Sequence, residues 1–263
     1  MRHLLIILLF PFICHSQDAK SAKSVLFIGN SFSFYWNMPT LFEKIAESEG
    51  VIFDVYSATE SGASLKNHWF SEKKSQAIEL IKSKKWDYVI LHDHSLATIE
   101  KLEEFKIYTT NFCEMVSGLG AEPILLMTWA YKSDINMINI ISKQYKSIGS
   151  DLRVKVCPIG EIFHQSRLKR ADINLFSDEK HPSPDGSYLI ALSLYKFISG
   201  NSISNITGRI ISNDKNGQRT YHSFVKEDKV EFFKKIINKK YKKYKKYKKY
   251  KNIKNIKNIK IKL

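Results

Sequence analysis

Five short runs of β-prone residues recur up to Cys157, and each is separated from the next by a stretch with helical periodicity. The runs consist mainly of Val, Ile, Leu and aromatic residues, which is the composition of strands buried on both faces. A chain that alternates strands and helices in this way folds into a parallel sheet with helices on both sides. The predicted strands are Ser24–Ile28, Ile52–Tyr56, Tyr88–His92, Pro123–Met127 and Val154–Cys157.

Helical patterns fill the gaps between these strands. Apolar residues recur at helical spacing from Pro39 until Gly50, where the pattern stops. Ser183, which is followed by a Pro, is typical of a helix N-cap and predicts a helix that ends at Gly200. After it, Ile203–Ile211 is predicted to be a connection. The other predicted helices cover Glu72–Lys84, Lys101–Leu119 and Asn136–Ile148.

The N-terminal residues Met1–Ser16 have the pattern of a secretion signal. Arg2 precedes an apolar stretch, Leu4–Ile13, and a tolerable cleavage site follows before Gln17. The apolar stretch is shorter than the roughly 20 residues that cross a bilayer. We therefore expect export to the periplasm or the medium. An uncleaved membrane anchor and lipidation at Cys14 are the alternatives.

The C-terminal residues 224–263 are predicted to form a helix, Val225–Ile237, and then a tail rich in Lys, Tyr and Asn. The folded domain is accordingly predicted to span residues 17–223. Residues 234–263 contain 15 Lys and no Asp or Glu, and they account for all but one of the 16 net positive charges. The domain is therefore nearly neutral, and nothing in it predicts specific nucleic-acid binding.

The tail repeats Tyr-Lys-Lys and then Lys-Asn-Ile, and this period of three does not keep the Tyr side chains on one face of a helix. Two interpretations stay open. The tail can be an extension with no evolved role, or it can be a cationic tether. A tether of this kind would hold the protein to anionic envelope lipids, acidic glycans or stray nucleic acid.

The chain has three cysteines, of which Cys14 lies in the predicted signal. Cys113 falls in a predicted helix and Cys157 at the end of a predicted strand. In an exported protein these two can form a disulfide. Two separate buried thiols are the other interpretation and the one that we expect. No Cys/His spacing resembles a structural zinc site.

A serine follows the first predicted strand, and Asp178-x-x-His181 lies 147 residues further along the chain. Gly29 and Asn30 tolerate the backbone angles of a tight turn, which would lift the Ser31 hydroxyl above the carboxyl end of the sheet. His181 can then take the hydroxyl proton while Asp178 orients the imidazole. The combination predicts a serine nucleophile. The alternative is a serine that only caps a helix.

Candidate site residues also follow the other predicted strands. The N–H of Gly62 can donate to an oxyanion, although Gly62 can equally be an ordinary turn residue. Trp69 can stack on a sugar ring or be partly buried core. Trp129 can line the pocket, and Glu161 can contact substrate or cap a helix. The predicted substrate-binding residues are Asn30, His68, Trp69 and Trp129.

Two histidines, His92 and His94, share one face at the end of the third predicted strand. A metal pair is one interpretation, but two further ligands are not apparent nearby in the sequence. We expect instead that His94 donates a hydrogen bond to an oxyanion. Loop histidines that merely pack against their neighbours are the remaining interpretation.

These residues together resemble the SGNH (GDSL-type) hydrolase superfamily. The resemblance rests on Gly-Asn-Ser31, on Gly62 and on Asp178-x-x-His181-Pro, and it covers roughly Ser24 to Ile203. The strings Ser-Gly-Ala-Ser-Leu-x-x-His-Trp, Met-Thr-Trp-Ala and His-Pro-Ser-x-x-Gly-Ser-Tyr-Leu-x-Ala are similar to a poorly characterised bacterial branch of it. The resemblance implies a flavodoxin-like α/β/α fold with five parallel strands, and ester hydrolysis through an acyl-enzyme without a cofactor.

By that match Ser31 is the nucleophile, His181 the base and Asp178 its orienter, and the N–H groups of Ser31 and Gly62 donate to the oxyanion. The superfamily usually adds an Asn donor from a Gly-x-Asn-Asp motif, which this sequence lacks, and His94 falls near the equivalent point. O-acyl groups of carbohydrates, chiefly acetyl, are the expected substrates. A lipase or thioesterase, or an impaired member of the fold that binds glycans or polyanions, are the alternatives.

Overall fold

The computed structural model describes residues 22–242, and within this range five strands form one parallel sheet. The strand order is β2-β1-β3-β4-β5, which is the order of flavodoxin-like doubly wound folds. Every strand overlaps a predicted one, so the three-layer α/β/α prediction is confirmed. The strands are β1 (Lys23–Gly29), β2 (Phe53–Thr59), β3 (Tyr88–Leu91), β4 (Glu122–Leu126) and β5 (Lys155–Cys157).

Helices and short helical turns connect these strands. Helix α9 begins after the predicted cap, since Ser183 Oγ accepts the Gly186 N–H at 3.1 Å, and it ends at Gly200, whose φ of 71° closes it. The helices are α1 (Ser31–Phe34), α2 (Met38–Ser48), α3 (Leu65–Trp69), α4 (Ala77–Ser83), α5 (Ala97–Glu100), α6 (Leu102–Gly118), α7 (Met137–Asp151), α8 (Ile159–Lys169), α9 (Pro184–Ser199) and α10 (residues 227–242), with 3-10 turns at Tyr35–Asn37 and Glu72–Lys74.

The sheet separates two apolar cores, because successive side chains of a strand point to opposite faces. Val25 and Phe27 of β1 lie in the core that α2, α8, α9 and α10 cover. Leu26 and Ile28 lie in the opposite core, under α4, α6 and α7. Burial on both faces explains why the strands read as continuous apolar runs.

The predicted helix Glu72–Lys84 is divided in the structure. Lys73 and Lys74 have positive φ values of 55° and 63°, so the chain leaves the helical path there. Ser75 Oγ then accepts the N–H of Ala77 at 3.2 Å and starts α4. The apolar periodicity of the segment could not reveal this local hydrogen bond. The prediction of a single helix over Glu72–Lys84 was therefore wrong.

Two antiparallel strands form a hairpin that the sequence did not predict: β6 (Arg209–Asn213) and β7 (Arg219–Phe224). The prediction had treated Ile203–Ile211 as a connection. Asp214 closes the turn, since its Oδ1 accepts two backbone N–H groups and its own N–H donates to the Gln218 carbonyl. Gly217 completes the turn with a φ of 79°.

The C-terminal helix α10 belongs to the folded domain. Val230, Phe233 and Ile237 are buried in the same core as α2 and α9. Tyr241 is also buried, and its hydroxyl donates to the Ser193 carbonyl at 3.2 Å. The core therefore continues past residue 223, where the sequence had placed the end of the domain.

Glu161, in the first turn of α8, ties three helices together. Its carboxylate accepts from Ser142 Oγ at 2.9 Å and from Lys146 Nζ at 2.5 Å, and it pairs with Lys240 of α10. Burial by itself raises the pKa of Glu161, but the two lysines outweigh it and the pKa is lowered. Glu161 thus holds α10 against the domain and is not a substrate contact.

Cys113 and Cys157 are buried free thiols in opposite cores, so the expectation of two separate thiols is confirmed. Burial raises the pKa of both to about 12, which keeps them protonated and unreactive. The predicted signal, Cys14 included, and the basic repeats beyond residue 242 lie outside the described residues. Among residues 22–242, no helix combines the length and apolar character needed to cross a membrane.

Candidate active site

Ser31 lies at the carboxyl end of β1, as the first residue of α1. The residue before it, Asn30, is buried and caps this helix, since its Oδ1 accepts the Phe32 N–H at 3.1 Å. Its Nδ2 group donates to the carbonyls of Ala63 and Asp93 at 3.0 and 3.1 Å. Asn30 therefore joins the loops that follow β1, β2 and β3, and it does not contact substrate as the sequence had predicted.

The Asp178–His181 loop completes a chain of hydrogen bonds to Ser31. The Ser31 Oγ lies 2.9 Å from His181 Nε2, and His181 Nδ1 lies 2.7 Å from Asp178 Oδ2. The other carboxylate oxygen accepts the backbone N–H groups of Lys180 and His181, each at 2.8 Å. With Nδ1–H directed at the carboxylate, Nε2 is free to accept the serine proton.

Asp178 is held as a carboxylate. The shielding of Asp178 from water raises its pKa, but hydrogen bonds from the backbone N–H groups of His181 and Lys180 and from the imidazole outweigh it. The net pKa is about 2. Asp178 is therefore ionised at neutral pH, and its carboxylate can stabilise a positive charge on His181.

Two aromatic rings fix the orientation of the His181 imidazole. The Tyr35 ring stacks on it with a centroid distance of 4.3 Å and an interplanar angle of 7°, and Phe32 meets it edge-on at 5.7 Å. Both rings come from the segment that follows Ser31. Ser31 and the His181 ring are thus positioned by the same short stretch of chain.

Two backbone N–H groups at the carboxyl ends of β1 and β2, those of Ser31 and Gly62, are candidates for an oxyanion site. Ser31 is the first residue of its helix, so its N–H has no partner within the helix. Gly62 has a φ of 61°, a conformation that other residues rarely adopt, in the loop after β2. Over residues 22–242, neither N–H donates to a protein acceptor. Free N–H groups of this kind can stabilise a developing oxyanion.

His94 borders the same polar cavity, of about 410 Å³, as Gly62. The Leu96 N–H approaches its Nδ1 at 3.4 Å, which assigns the proton of the neutral ring to Nε2. Burial lowers the pKa of His94, helped by the charge of nearby Lys180. A neutral ring with its proton on Nε2 has the donor that the predicted oxyanion role requires.

His68, predicted to bind substrate, is buried and supports the serine turn from beneath. Its Nε2 lies 2.7 Å from the Gly29 carbonyl, and its Nδ1 lies 2.6 Å from Ser75 Oγ. Since Gly29 O can only accept, the ring donates through Nε2. The role of His68 is therefore to position the end of β1, and the prediction of a substrate contact was wrong.

The two tryptophans predicted to bind substrate, Trp69 and Trp129, also lie in the interior or against it. Trp129 is completely buried between the rings of Phe32 and Phe163, at centroid distances of 4.5 and 4.7 Å. Its indole N–H donates to the Lys180 carbonyl at 2.9 Å. Trp69 is partly buried and meets Phe112 edge-on at 5.3 Å. Trp129 is a structural support for the His181 loop, and Trp69 packs against a core.

The third-strand histidine His92 is engaged in the interior. It is buried, and its Nδ1 lies 2.8 Å from Ser33 Oγ. Burial lowers its pKa to about 3, so the ring is neutral. In the range 22–242, no three His, Cys, Asp or Glu side chains are grouped so that they could hold a metal ion.

Sequence reasoning missed the aromatic pair Tyr35 and Trp36. Trp36 is 53% exposed, and its indole N–H donates to the carbonyl of Pro182, the residue after His181, at 3.0 Å. The available signal was the string Phe-Tyr-Trp-Asn, which begins three residues after Ser31. An Asn that follows a bulky residue suggests a left-handed turn that exposes the side chain.

No family model matches the sequence, and neither does any curated protein. Among solved structures, a Slackia heliotrinireducens protein assigned to the SGNH hydrolases matches 67% of this chain and 99% of its own, with 23% identity and a TM-score of 0.57. A DUF4886 family protein from Bacteroides uniformis ATCC 8492 matches 82% of this chain and 93% of its own, with 17% identity and a TM-score of 0.66.

An acetyl xylan esterase, AlAXEase, matches 67% of this chain and 98% of its own length, with 14% identity and a TM-score of 0.57. These similarities define a fold class. The chain has the α/β/α fold of the SGNH hydrolases, as the sequence resemblance predicted.

Proposed function

We propose that the protein is a serine ester hydrolase that works through an acyl-enzyme on Ser31. The observation that carries this proposal is the continuous chain of hydrogen bonds from Ser31 through His181 to Asp178, with distances of 2.9 and 2.7 Å. A serine hydroxyl is a weak nucleophile until an adjacent base takes its proton, and this geometry supplies that base together with its orienting carboxylate.

In the first half of the reaction, Ser31 Oγ attacks the ester carbonyl carbon while His181 Nε2 takes the hydroxyl proton. The carbonyl electron pair moves onto oxygen, and the N–H groups of Ser31 and Gly62 and the Nε2–H of His94 stabilise this oxyanion. The bond to the alcohol oxygen then breaks, and His181 returns the proton to the leaving alcohol.

In the second half, a water molecule gives a proton to His181 Nε2 and attacks the acyl carbon. Collapse of this second tetrahedral intermediate releases the carboxylic acid, and Ser31 regains its proton. The carboxylate of Asp178 stabilises the imidazolium in both halves.

Small acyl groups on carbohydrates are the proposed substrates. The cavity beside Gly62 and His94 is lined by charged and amide side chains, among them Lys66, Asn67 and Glu104. Covering such groups with a long alkyl chain is unfavourable, because they would lose water without gaining partners. Similarity to an acetyl xylan esterase in fold supports the same substrate class, by analogy.

Labelling with a fluorophosphonate probe tests the proposal. The wild-type protein should react, and both Ser31→Ala and His181→Ala should abolish the labelling. Ser33→Ala is a matched control, because Ser33 also lies in α1 and also contacts a histidine ring nitrogen, at 2.8 Å, but that histidine is His92 and not His181. The Ser33→Ala variant should still be labelled by the probe. Labelling that persists in Ser31→Ala would exclude Ser31 as the nucleophile.

A series of 4-nitrophenyl esters separates the proposed substrates from those of a lipase or thioesterase. We expect kcat/KM to fall from acetate through butyrate to decanoate. A rise along the series would favour a longer-chain hydrolase. Neither labelling nor turnover, in a folded protein, would favour a binding protein that retains the fold.

A further inference from the structure

A second cleft, of about 620 Å³, lies on the His181 side of the site. One wall comes from the segment after the nucleophile, with Tyr35 and Trp36, and the other comes from the β6–β7 hairpin, with Tyr221 and His222. Pro184, at the start of α9, also lines it. Its volume falls within the range of about 300–1,000 Å³ that is typical of small-molecule sites.

One residue of the cleft wall, Tyr35, contacts the His181 ring. Tyr35 stacks on the His181 imidazole and also lines the cleft, so a single aromatic ring joins the two. Trp36 donates its indole N–H to the Pro182 carbonyl at 3.0 Å, which ties the cleft wall to the His181 loop. A ligand in this cleft therefore shares one contact residue, Tyr35, with the His181 imidazole.

An unusual backbone conformation keeps the Trp36 side chain exposed to solvent. Trp36 and Asn37 have φ values of 54° and 50°, in the left-handed region that residues with a side chain seldom occupy. Trp36 remains 53% exposed, whereas Trp86 and Trp129 are buried and Trp69 is partly buried. A strained backbone that keeps a large aromatic ring in solvent is typical of a functional position.

The chemistry of the lining selects among possible ligands. Of the residues described, those that line this cleft include no Lys, Arg, Asp or Glu, so it offers nothing to neutralise a polyanion. Hydrogen-bonding side chains alternate with aromatic rings around it: Asn37, Thr40, Thr220, His222 and Ser223. Flat aromatic faces beside neutral hydrogen-bonding groups suit a sugar, which has apolar ring faces and hydroxyl edges.

We propose that this cleft is the leaving-group subsite and binds a neutral carbohydrate, with Trp36 as its main contact. The inference rests on the proposed function and deepens it. The alcohol oxygen of the ester must receive its proton from His181 Nε2, so the alcohol part of the substrate lies on the His181 side. The hairpin, which stands outside the five-stranded sheet, then determines which alcohols are accepted.

The kinetic test compares two acetyl esters, acetylated xylohexaose and 4-nitrophenyl acetate. In Trp36→Ala, the ratio of kcat/KM for the first to kcat/KM for the second should fall about ten-fold. Trp36→Phe keeps a stacking ring but loses the bond to Pro182, and it should retain most of the ratio. Phe70→Ala is the matched control, because Phe70 is 56% exposed and contacts Tyr108 rather than the site.

An unchanged ratio in Trp36→Ala would overturn the subsite. An equal fall for both esters would also overturn it, since Trp36 would then act only by supporting the His181 loop. If Trp36→Ala does not fold, Tyr221→Ala tests the opposite wall, and the same fall in the ratio is expected.

A binding measurement tests the subsite independently of catalysis. Xylohexaose, cellohexaose, maltohexaose and chitohexaose carry no ester to be cleaved at Ser31, and at least one should change the tryptophan fluorescence of the wild-type protein. Trp36→Phe should lose that change. Such binding without fluorophosphonate labelling would support the subsite while the proposed hydrolase fails. A response to decanoate alone, or to none of these ligands, would overturn the subsite.

Discussion

The substitution Trp129→Phe tests whether the buried Trp129 side chain helps to position Ser31 and His181. The indole is fully buried, it stacks between Phe32 and Phe163, and it donates to the Lys180 carbonyl at 2.9 Å. Phe32 follows the nucleophile directly, and Lys180 precedes His181. The substitution therefore removes a hydrogen bond between the two halves of the site while keeping an aromatic ring in the stack.

The expected loss of stability follows from that single bond and a small cavity. An unpaired buried carbonyl costs about 1–3 kcal/mol. The missing second ring adds about 1 kcal/mol, since the surrounding residues relax only in part. A total of about 2–4 kcal/mol lowers the Tm of a domain of this size by roughly 5–15 °C.

Trp86→Phe is a matched control far from the site. Trp86 is also buried, and its indole N–H donates to the Leu80 carbonyl at the same distance of 2.9 Å. We expect both variants to lose stability in thermal unfolding followed by circular dichroism. At a temperature at which both are folded, only Trp129→Phe should react several-fold more slowly with a fluorophosphonate. Equal labelling rates would show that Trp129 is ordinary core and refute the coupling to His181.

Three further predictions concern single positions. Burial raises the pKa of Asp93 to about 6, so the native state binds more protons than the unfolded chain between about pH 4 and 6. Stability should fall as the pH rises through that window, and urea unfolding should show a flatter profile for Asp93→Asn, which keeps the Oδ1 acceptor of both N–H bonds. His94→Ala should lower kcat for 4-nitrophenyl acetate about 100-fold, and an unchanged kcat would remove His94 from the oxyanion site. Tyr241→Ala should destabilise the domain by about 3–5 kcal/mol in the same urea assay, whereas a change below 1 kcal/mol would contradict the packing of α10.

Local signals predicted the sheet and the Ser, His and Asp that the candidate site brings together. The central strands β1, β3 and β4 are buried on both faces, so apolar runs and the loops between them reveal their places directly. Ser31, Asp178 and His181 could be recognised because a triad needs particular residue types at strand ends, in a fixed chain order. The structure brings these three within hydrogen-bonding distance of one another.

The exposure of individual aromatic residues could not be predicted in the same way. Trp129 follows a strand, as a pocket residue would, but the rings that enclose it come from distant parts of the chain, and only the folded structure brings them together. Trp36 is exposed because of its backbone angle, and hydrophobic periodicity carries no information about that angle. The sequence therefore could not show which of its tryptophans is exposed to solvent.

The extent of the domain was obscured by composition. Lys-rich sequence suggested that residues after Ile237 lie outside the core, yet Tyr241 is buried and Lys240 pairs with Glu161. A helix can carry many lysines when one narrow stripe of it is apolar. The net charge of a sequence segment does not reveal an apolar stripe on one side of a helix.

The packing of α10 also bears on the order in which the molecule can form. The last strand of the sheet ends at Cys157, but the core on one of its faces is closed by residues as late as Tyr241. A nascent chain that emerges from its N-terminus thus keeps an apolar surface open until Tyr241 has been synthesised, and surfaces of this kind attract chaperones. For the export that the sequence predicts, late closure is an advantage, since a chain that cannot yet close its core stays unfolded enough to be threaded through a membrane.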